Sequence, residues 1–447
     1  MKTYPKHYCG IFGIKDMPRA AEYAAYGLHA IQHRGQESAG IASTNGDKFF
    51  EHKGMGLVLR IFDNRILSGL EGQTAIGHNR YATTGKSELK NAQPLSVQCK
   101  RGGIALAHNG NLTNTKALRT ELENHGVAFQ TTTDSEIMLA LLAQSDKPLD
   151  QAILDMMSKV EGAYSLVIMT ETALIAVRDP HGFRPLSLGT LDGNPVIASE
   201  TCAFDIIGAR FEREVEPGEI VIFESNNVHT QRVANLPQRT LCAFEKVYFD
   251  RPDSKIDGQS VYGIRFAFGE RLAKEYPIQG DIVVPILDGG KYAALGYAKA
   301  SGIQLVEAFV RNHYEHRSFI QPNQSERDRT AEFKLNLIPE LVRGKRVIII
   351  DDSIVRGTTC KSRIKKVREA GAHEVHVLVS CPPHIHPCYY GIDFPDQSKL
   401  IAANNTQDEI RKKLDLDSLG YLSMEGFMEV LGQGHCLACW NGNYPTV

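Results

Sequence analysis

Short apolar runs alternate with polar, glycine-rich segments along much of this chain. Residues 347–350, VIII, are uniformly apolar and β-branched, which predicts a strand buried on both faces of a parallel sheet. Residues 361–370 form a basic stretch with two apolar positions, and Gly371 follows it, a pattern typical of a surface helix. Residues 374–380, EVHVLVS, predict the next strand. The pattern therefore predicts a strand–loop–helix–strand unit.

The loop of this unit carries the clearest candidate chemistry. Asp351 and Asp352 follow the strand directly, and the segment continues as SIVRGTT. Neighbouring strand residues point to opposite faces, so both acids can meet one ligand only where the chain leaves the strand. Hydroxyls and backbone N–H groups at a helix start bind phosphate, and Arg356 adds a charged donor. The acids suit sugar hydroxyls or a divalent ion; a solvated acidic turn is the alternative.

The amino-terminal half contains two further candidate sites. Residues 8–14, YCGIFGI, predict a strand, and residues 20–33 have the apolar spacing of a helix. Cys9 is either a buried inert thiol or, after cleavage behind Tyr8, a nucleophile whose own α-amine acts as base. The pair at 109–110, Asn-Gly, is a strong hairpin signal, but an amide beside an accessible N–H also suits an oxyanion hole.

These motifs resemble one known family. The loop VIIIDDSIVRGTT is similar to the phosphoribosylpyrophosphate loop of type I phosphoribosyltransferases, in the form found in glutamine phosphoribosylpyrophosphate amidotransferases. The start at Cys9, HRGQESAGI at 33–41 and GHNRYATTG at 77–85 resemble class II glutamine amidotransferases. The resemblance covers the chain from Cys9 onward. It implies α/β and α+β architecture: an N-terminal nucleophile αββα sandwich, then a type I phosphoribosyltransferase domain whose mostly parallel sheet is flanked by helices.

The resemblance also implies roles in a glutaminase site. Cys9 would be the nucleophile, with Asn109 and Gly110 holding the oxyanion. The implied glutamine-binding residues are Arg80, Asp134 and Arg34. The planar guanidinium of Arg80 can pair with an α-carboxylate, although a structural ion pair is the alternative.

Asp134 would bind the α-amino group of glutamine in this scheme. Thr133 and Glu136, which surround it, also fit a capping box, so Asp134 could merely favour the start of a helix.

For the second site, the resemblance implies that Asp351 and Asp352 hold ribose hydroxyls and Mg²⁺. The other implied phosphoribosylpyrophosphate contacts are Ser353, Arg356, Gly357, Thr358, Thr359, Arg311 and Lys334. Two positions depart from the family pattern. Gly290 stands where a Mg²⁺-associated serine is common, so backbone or water would serve there, and Glu332 stands at a usually basic position.

The nine cysteines are odd in number and scattered, which argues against a secreted disulfide framework. A C-x-x-C pair alone fits redox chemistry, zinc or iron–sulfur ligation. The family has an iron–sulfur branch whose 4Fe–4S ligands fall on Cys242, Cys388, Cys436 and Cys439. Cys381 competes with Cys388, and zinc remains an alternative. We predict a structural role for the cluster, because the reaction needs no electron.

The composition sets the remaining limits. A length of 447 residues predicts two or three domains, and a net charge of -2 gives no electrostatic case for nucleic acid or an anionic membrane. No apolar run approaches the roughly 18 residues of a membrane helix, and no signal peptide is evident, so we predict a cytoplasmic protein. The predicted limits are a leader at 1–8, an amidotransferase domain at 9–238, a phosphoribosyltransferase domain at 239–425 and a cluster-binding tail at 426–447.

Together these expectations describe one reaction. Glutamine, phosphoribosylpyrophosphate and water would give phosphoribosylamine, glutamate and pyrophosphate, the first step of de novo purine synthesis. The resemblance further implies a homotetramer or homodimer and purine nucleotides as feedback inhibitors. The alternatives are a regulatory paralogue with impaired transfer, which Gly290 and Glu332 would favour, and another class II amidotransferase, such as one making an amino sugar.

Overall fold

The structure is a computed structural model that describes residues 7–82, 88–225, 227–311, 335–392, 394 and 396–446. The strands of the first half are β1 (His7–Ile14), β2 (Ser38–Thr44), β3 (Phe49–Met55), β4 (Thr74–Ala82), β5 (Leu95–Cys99), β6 (Gly102–Leu112), β7 (Gly162–Met169), β8 (Ala173–Arg178), β9 (Ser187–Leu191), β10 (Asn194–Ala198), β11 (Arg210–Glu214), β12 (Glu219–Glu224) and β13 (Asn227–Arg232). Its helices are α1 (Ala20–Ala30), α2 (Val58–Ile61), α3 (Asn64–Gly69), α4 (Thr115–Asn124), α5 (Ser135–Gln144), α6 (Leu149–Lys159) and α7 (Cys202–Ile207).

These strands form two antiparallel sheets. One has the order β11-β9-β10-β1-β4-β2-β3 and the other β13-β12-β8-β7-β6-β5. Alternation along β1 shows how they stack: Ile11 packs between the sheets, whereas Phe12 and Ile14 pack against α1, α2 and α7. In β6, Ala105 and Ala107 likewise face the first sheet. The outer face of the second sheet packs on α4, α5 and α6. This arrangement is the predicted αββα sandwich.

The second half is built on a parallel sheet of order β17-β20-β21-β22. The strands of this half, which include those of the parallel sheet, are β14 (Leu241–Cys242), β15 (Lys255–Ile256), β16 (Gln259–Ser260), β17 (Ile282–Pro285), β18 (Phe309–Arg311), β19 (Leu335–Leu337), β20 (Arg346–Asp351), β21 (Glu374–Val379), β22 (Ser418–Tyr421) and β23 (His435–Cys436). Its helices are α8 (Val261–Glu275), α9 (Lys291–Ser301), α10 (Pro339–Val342), α11 (Thr358–Glu369), α12 (Ile401–Asn404), α13 (Gln407–Lys413), α14 (Met424–Leu431) and α15 (Ala438–Asn441). Short helical turns lie at Gln32–Arg34, Leu89–Asn91, Glu245–Phe249 and Gln397–Lys399.

The predicted strand–loop–helix–strand unit corresponds to β20, α11 and β21. Helix α11 begins at Thr358, three residues before the predicted start, and ends ahead of Gly371, whose φ is +87°. Helix α14 crosses the predicted limit between 425 and 426, and all the domain limits remain predictions. None of the helices in the described part of the chain has the length and apolar character needed to span a bilayer.

Candidate active sites

The nucleophile candidate lies in the middle of the first sheet. Cys9 is fully buried on β1 and is paired in register with Arg80 of β4. Strand β1 begins at His7, so the predicted cleavage point after Tyr8 falls within a strand. Residues 1–6 of the predicted leader lie outside the described residues. Strand β6, which carries Asn109 and Gly110, lies against β1 across the sandwich.

The segment at 109–110 is not the turn of a hairpin, because both residues belong to β6. Gly110 pairs in register with Tyr164, but the N–H and C=O of Tyr164 bond to Asp179 on its other side. Gly110 therefore directs its own N–H away from β7. A side chain at Gly110, whose φ is +150°, would overlap the Ala163 carbonyl oxygen. The strand consequently has a backbone donor at Gly110 that its pairing with β7 does not use, and the oxyanion role of this donor remains a prediction.

Two buried side chains near this strand carry donors that find no acceptor among the described residues. Within that part of the chain the Nδ2 of Asn109 has no hydrogen-bond partner, and the residue is 1% exposed. Arg80 is equally buried, with Nε and Nη2 unpartnered, while Nη1 lies 3.3 Å from the Glu37 carboxylate. Unsatisfied buried donors are costly, and a guanidinium especially so. Both side chains are therefore suited to receive an anionic group.

Asp134 lies immediately before α5, but the predicted capping box is wrong. Asp134 makes no side-chain cap bond to α5, and Glu136 accepts hydrogen bonds from residues 130 and 131 instead. The Oδ2 of Asp134 accepts from the N–H of Leu112 at 3.0 Å, and Oδ1 lies 3.6 Å from Nδ1 of His108. A carboxylate is thus held at the carboxyl end of β6, the strand that carries Asn109 and Gly110.

Arg34 has partners that do not support its predicted contact with glutamine. Its guanidinium bonds to Glu200 and Asp250, and to Glu245 with a distance of 2.7 Å. Burial would lower the pKa of Arg34, but these carboxylates outweigh burial and raise it well above its usual value. Because Glu245 and Asp250 belong to the second half, Arg34 joins the two halves through a buried ion-pair network. The glutamine-binding role of Arg34 remains a prediction.

The second site is formed where β20 ends. Asp351 is the last residue of the strand, and Asp352 follows it; each is 6% exposed. Burial raises the pKa of both carboxyls, and repulsion from Asp351 helps to raise that of Asp352 to about 7. Arg363 is 3.8 Å from Asp351, and Arg265 and Arg363 both act to lower the pKa of Asp352 without cancelling its rise. Two crowded buried carboxylates whose pKa values stay raised despite these cations are suited to bind a further cation.

The other predicted residues of this site are placed around the two acids. Ser353 donates to Asp352 at 2.7 Å. Arg356 lies in the loop that follows, Gly357 precedes α11 with a φ of +78°, and Thr358 and Thr359 begin the helix, so their N–H groups lie at its positive end. Arg311 ends β18 and pairs with Asp288. Lys334 and Glu332 lie outside the described residues.

The loop before α9 approaches the acids so closely that side chains are excluded. A Cβ at Gly289 would overlap the Asp352 carboxylate, and one at Gly290 would overlap the Ile350 carbonyl oxygen. A serine at position 290, which is common in the family, would therefore not fit here unless the backbone at Ile350 moved. Any metal contact at Gly290 remains a prediction that only backbone or water could fulfil.

The four predicted cluster ligands come from the start of the second half, from the segment after β21 and from the tail, which the fold brings together. Cys242 of β14 pairs in register with Cys436 of β23, and Cys439 lies in α15. The pKa of Cys439 is raised well above its usual value by burial, and then by the thiols of Cys388, Cys242 and Cys436. Within the described residues, no group of three or more His, Cys, Asp and Glu side chains could hold a metal ion.

Cys381, the competing candidate, is oriented differently. It is fully buried, and apart from burial the main influences on the pKa of its thiol are Asp352 and Asp351; it acts on Cys439, but less than Cys388, Cys242 and Cys436 do. Cys388, by contrast, interacts electrostatically with both Cys242 and Cys436. The structure therefore groups Cys388, not Cys381, with the two β-strand cysteines.

Comparisons with known proteins agree with this division into two sites. A model of the glutamine amidotransferase domain matches residues 78–205, and one of the phosphoribosyl transferase domain matches residues 256–391. An amidophosphoribosyltransferase of Bacillus subtilis is 45% identical, covering 98% of this chain and 94% of the relative. One from Methanocaldococcus jannaschii is 46% identical and covers 98% of each chain. The structure of the B. subtilis glutamine phosphoribosylpyrophosphate amidotransferase, complexed with ADP and GMP, superposes with a TM-score of 0.92 at 45% identity and 98% coverage of both chains.

The fold and the two sites define a glutamine amidotransferase joined to a phosphoribosyltransferase. With relatives this similar over nearly its whole length, the chain belongs to the amidophosphoribosyltransferase family. The predicted enzyme activity is confirmed: glutamine is hydrolysed and its ammonia is transferred to phosphoribosylpyrophosphate. The comparisons support this activity and not the alternative of a regulatory paralogue.

Asn111 and Arg184 are two residues that sequence reasoning missed. Asn111 donates to the main chain at Tyr389 at 2.8 Å, and Arg184 donates to Tyr390 at 2.6 Å. Asn111 adjoins the Asn-Gly pair at 109–110, but its partner is 278 residues away along the chain, and the partner of Arg184 is 206 residues away. Only the fold could reveal that they join the two halves.

Proposed function

We propose that the two halves divide the reaction, with Cys9 attacking the side-chain amide of glutamine. The observation that carries the proposal is the set of buried N–H donors on Asn109 and Arg80 that have no partner within the described ranges of the chain. The Arg80 guanidinium suits the α-carboxylate of glutamine, and the Asp134 carboxylate suits its α-ammonium group. Asn109 Nδ2 and the Gly110 N–H suit the oxyanion that forms during attack.

The amide nitrogen leaves the first site as ammonia, with its extra proton supplied by the Cys9 thiol through the α-amine. Once Cys9 is the first residue, its α-amine accepts the thiol proton as the Cys9 sulfur bonds to the amide carbon. The tetrahedral intermediate collapses, the carbon–nitrogen bond breaks, and the amine returns the proton to the departing nitrogen as ammonia. Water then hydrolyses the thioester, which releases glutamate and the thiol.

At the second site, we propose that Asp351 and Asp352 orient the ribose hydroxyls and that the loop 353–359 holds the 5′-phosphate. Ammonia bonds to the anomeric carbon as the bond to pyrophosphate breaks. Mg²⁺ would be held by the two acids, whose crowding suits a cation, and would neutralise charge on the pyrophosphate. Arg311 and Lys334 are proposed pyrophosphate contacts. An enclosed route protects ammonia from protonation by water.

The donor set at the chain end suits a 4Fe–4S cluster held by Cys242, Cys388, Cys436 and Cys439. The N–H groups of Tyr390 and Ile392 donate to Cys388 Sγ at 3.3 and 3.4 Å, which favours a thiolate there. A zinc ion bound by the same four thiolates is the alternative, and metal analysis distinguishes the two. A cluster would tie the tail to the start of the second half, a structural role.

Two measurements test these proposals on the purified chain. Intact mass should correspond to a chain that begins at Cys9, and a mass that retains residues 1–8 in an enzyme with full glutaminase activity would contradict the role of the α-amine. Anaerobic metal analysis should find about four irons per chain, as the proposed cluster requires. One zinc per chain would contradict it.

Regulation and assembly are further parts of the proposal. The B. subtilis relative was solved with ADP and GMP, which supports purine nucleotides as feedback inhibitors of this chain. A homotetramer or homodimer is proposed as well. Inhibition assays with GMP and ADP, and the molar mass in solution measured by light scattering, test the two statements separately.

A further inference from the structure

Asn111 is the point at which the glutaminase strand touches the second half of the chain. Its side chain is 3% exposed. Nδ2 donates to the Tyr389 carbonyl oxygen at 2.8 Å and to its neighbour's carbonyl, that of Leu112, at a longer 3.2 Å. The bond to Tyr389 is therefore the stronger of the two, and it crosses from β6 to the segment that follows Cys388.

Three other contacts hold the same segment against the first half. Arg184, itself buried, donates to the Tyr390 carbonyl oxygen at 2.6 Å. The rings of Tyr390 and Phe183 are stacked with centroids 4.3 Å apart. Ala163 of β7, opposite Asn111 in register, lies in the same apolar cluster as Phe183 and Tyr390. The segment at 388–390 is thus seated on the end of the glutaminase sheet.

The same end of β6 carries the groups proposed for amide hydrolysis. Asn109 and Gly110 immediately precede Asn111, and Leu112 next to it donates to the Asp134 carboxylate. Four consecutive residues therefore include both oxyanion donors, the tie to the second half and the tie to Asp134. A shift of the strand at Asn111 moves the donors at 109 and 110 with it, because the backbone between them is continuous.

We propose that Asn111 is a positioning residue for glutamine hydrolysis. Its amide fastens the oxyanion end of β6 to the main chain at Tyr389, so that the oxyanion donors are correctly placed only when the segment at 388–390 is seated. This inference rests on the proposed roles of Asn109 and Gly110. On this proposal, a contact between the two halves of the chain contributes to glutamine hydrolysis.

Displacement of the oxyanion donors should affect the kcat of glutamine hydrolysis more than the KM for glutamine. The oxyanion exists only during reaction, so displaced donors lower kcat while glutamine binding by Arg80 and Asp134 is retained. Misplacement of reacting groups by about 1 Å can cost on the order of 10² in rate. Loss of the Asn111 tie should therefore lower the kcat of glutamine hydrolysis roughly ten- to a hundredfold, with the KM for glutamine changed less than about threefold.

The test uses the full-length chain and three variants. Asn111→Leu keeps the branched side-chain shape at a larger volume and removes the donor, and Asn111→Ala removes both the donor and most of the side chain. The matched control is Asn114→Ala, because the Asn114 amide bonds only to Lys159 and Glu161 of its own half among the described contacts. Glutamine hydrolysis and ammonia-dependent pyrophosphate release are measured on each variant. The first should fall in kcat for both Asn111 variants, and the second should stay within about twofold, since the transferase site is untouched.

A fourth variant approaches the same contact from the other side. Tyr390→Leu removes the stack on Phe183 and loosens the segment without altering the glutaminase site. We expect the same fall in glutaminase kcat, and little further loss when it is combined with Asn111→Leu, because residues acting through one contact are not additive.

Additive losses, or a Tyr390→Leu enzyme with normal glutaminase activity, would overturn the inference. Equal losses of both activities in the Asn111 variants would also overturn it, since they indicate general destabilisation. Absence of glutamine hydrolysis in the unmodified chain would instead contradict the proposed function, whatever the variants do.

Discussion

The two proposed sites of this enzyme differ in the sign of the charge that their buried groups leave uncompensated. The proposed glutaminase site lies on central strands between two packed sheets, and its buried donors on Asn109 and Arg80 find no acceptor among the residues that the structure describes. The transferase site lies in loops at strand ends, and its acids, Asp351 and Asp352, repel each other. The first site is preorganised for negative charge and the second for a cation. The chemistry of each half follows from the sign of the charge that its buried groups require.

The largest expected effect is on the acidic site. Asp352→Asn removes the carboxylate that most needs a cation, so pyrophosphate release should fall by at least roughly 10³ with either glutamine or ammonia as nitrogen source. Glutamine hydrolysis should continue, because β6 is unaffected. Asp408→Asn, an exposed acid on α13 paired with Lys412, is the control and should leave both activities unchanged. Ammonia-dependent release by Asp352→Asn at the normal rate would contradict the assignment.

The next effect is on the site suited to negative charge. Asn109→Ala deletes the unpartnered donor, and loss of one oxyanion donor typically lowers kcat by about 10²–10³. The fall should be confined to glutamine hydrolysis, measured as glutamate release, and ammonia-dependent turnover should persist. If KM rises while kcat is unchanged, Asn109 binds the substrate rather than the oxyanion.

A smaller effect is expected where the backbone approaches the acids. Gly289→Ala would push the Asp352 carboxylate aside, and displacement by about 1 Å corresponds to on the order of 10² in transferase rate. The matched control is Gly263→Ala in α8, where an added Cβ would lie at an ordinary 3.7 Å from Ser260. Steady-state pyrophosphate release with ammonia measures the difference. Equal behaviour of the two variants would show that the loop yields without moving Asp352.

The smallest effect concerns stability at the boundary between the halves. Burial raises the pKa of Asp179 from its ordinary value near 4 to about 6, despite the opposing influence of Arg178. The folded state therefore binds more protons than the unfolded state between about pH 4 and pH 6, and stability falls as pH rises through that window by about 2–3 kcal/mol. Asp179→Asn cannot titrate. The thermal midpoint of the unmodified chain should thus decline, relative to that of the variant, from pH 4 to pH 6.5. A constant difference would contradict the raised pKa.

The elements with strong local signals were predictable from the sequence. The apolar run at 347–350 and the glycine at 371 located β20 and the end of α11 to within a few residues. The Asn-Gly pair at 109–110 has the local signal of a turn, yet it lies in a long strand because β7 pairs with that strand from Ala105 to Leu112. At this position, pairing with a neighbouring strand outweighed the local turn propensity of Asn-Gly.

Contacts between distant segments were not predictable in the same way. Arg34 was expected beside the substrate, but its carboxylate partners at 200, 245 and 250 are brought together only by the fold. Glu136 likewise bonds to residues that precede its helix rather than to a cap. No periodicity or spacing encodes which charge will be buried next to which. The sequence therefore indicated the chemical groups of both sites, whereas the link through Asn111 required the structure.

The separation of the two sites is tested most directly by Cys9→Ala assayed with two nitrogen donors. Pyrophosphate release from phosphoribosylpyrophosphate and Mg²⁺ should be undetectable with glutamine and close to that of the unmodified enzyme with ammonia. Loss of release with both donors, or its survival with glutamine, would contradict the account.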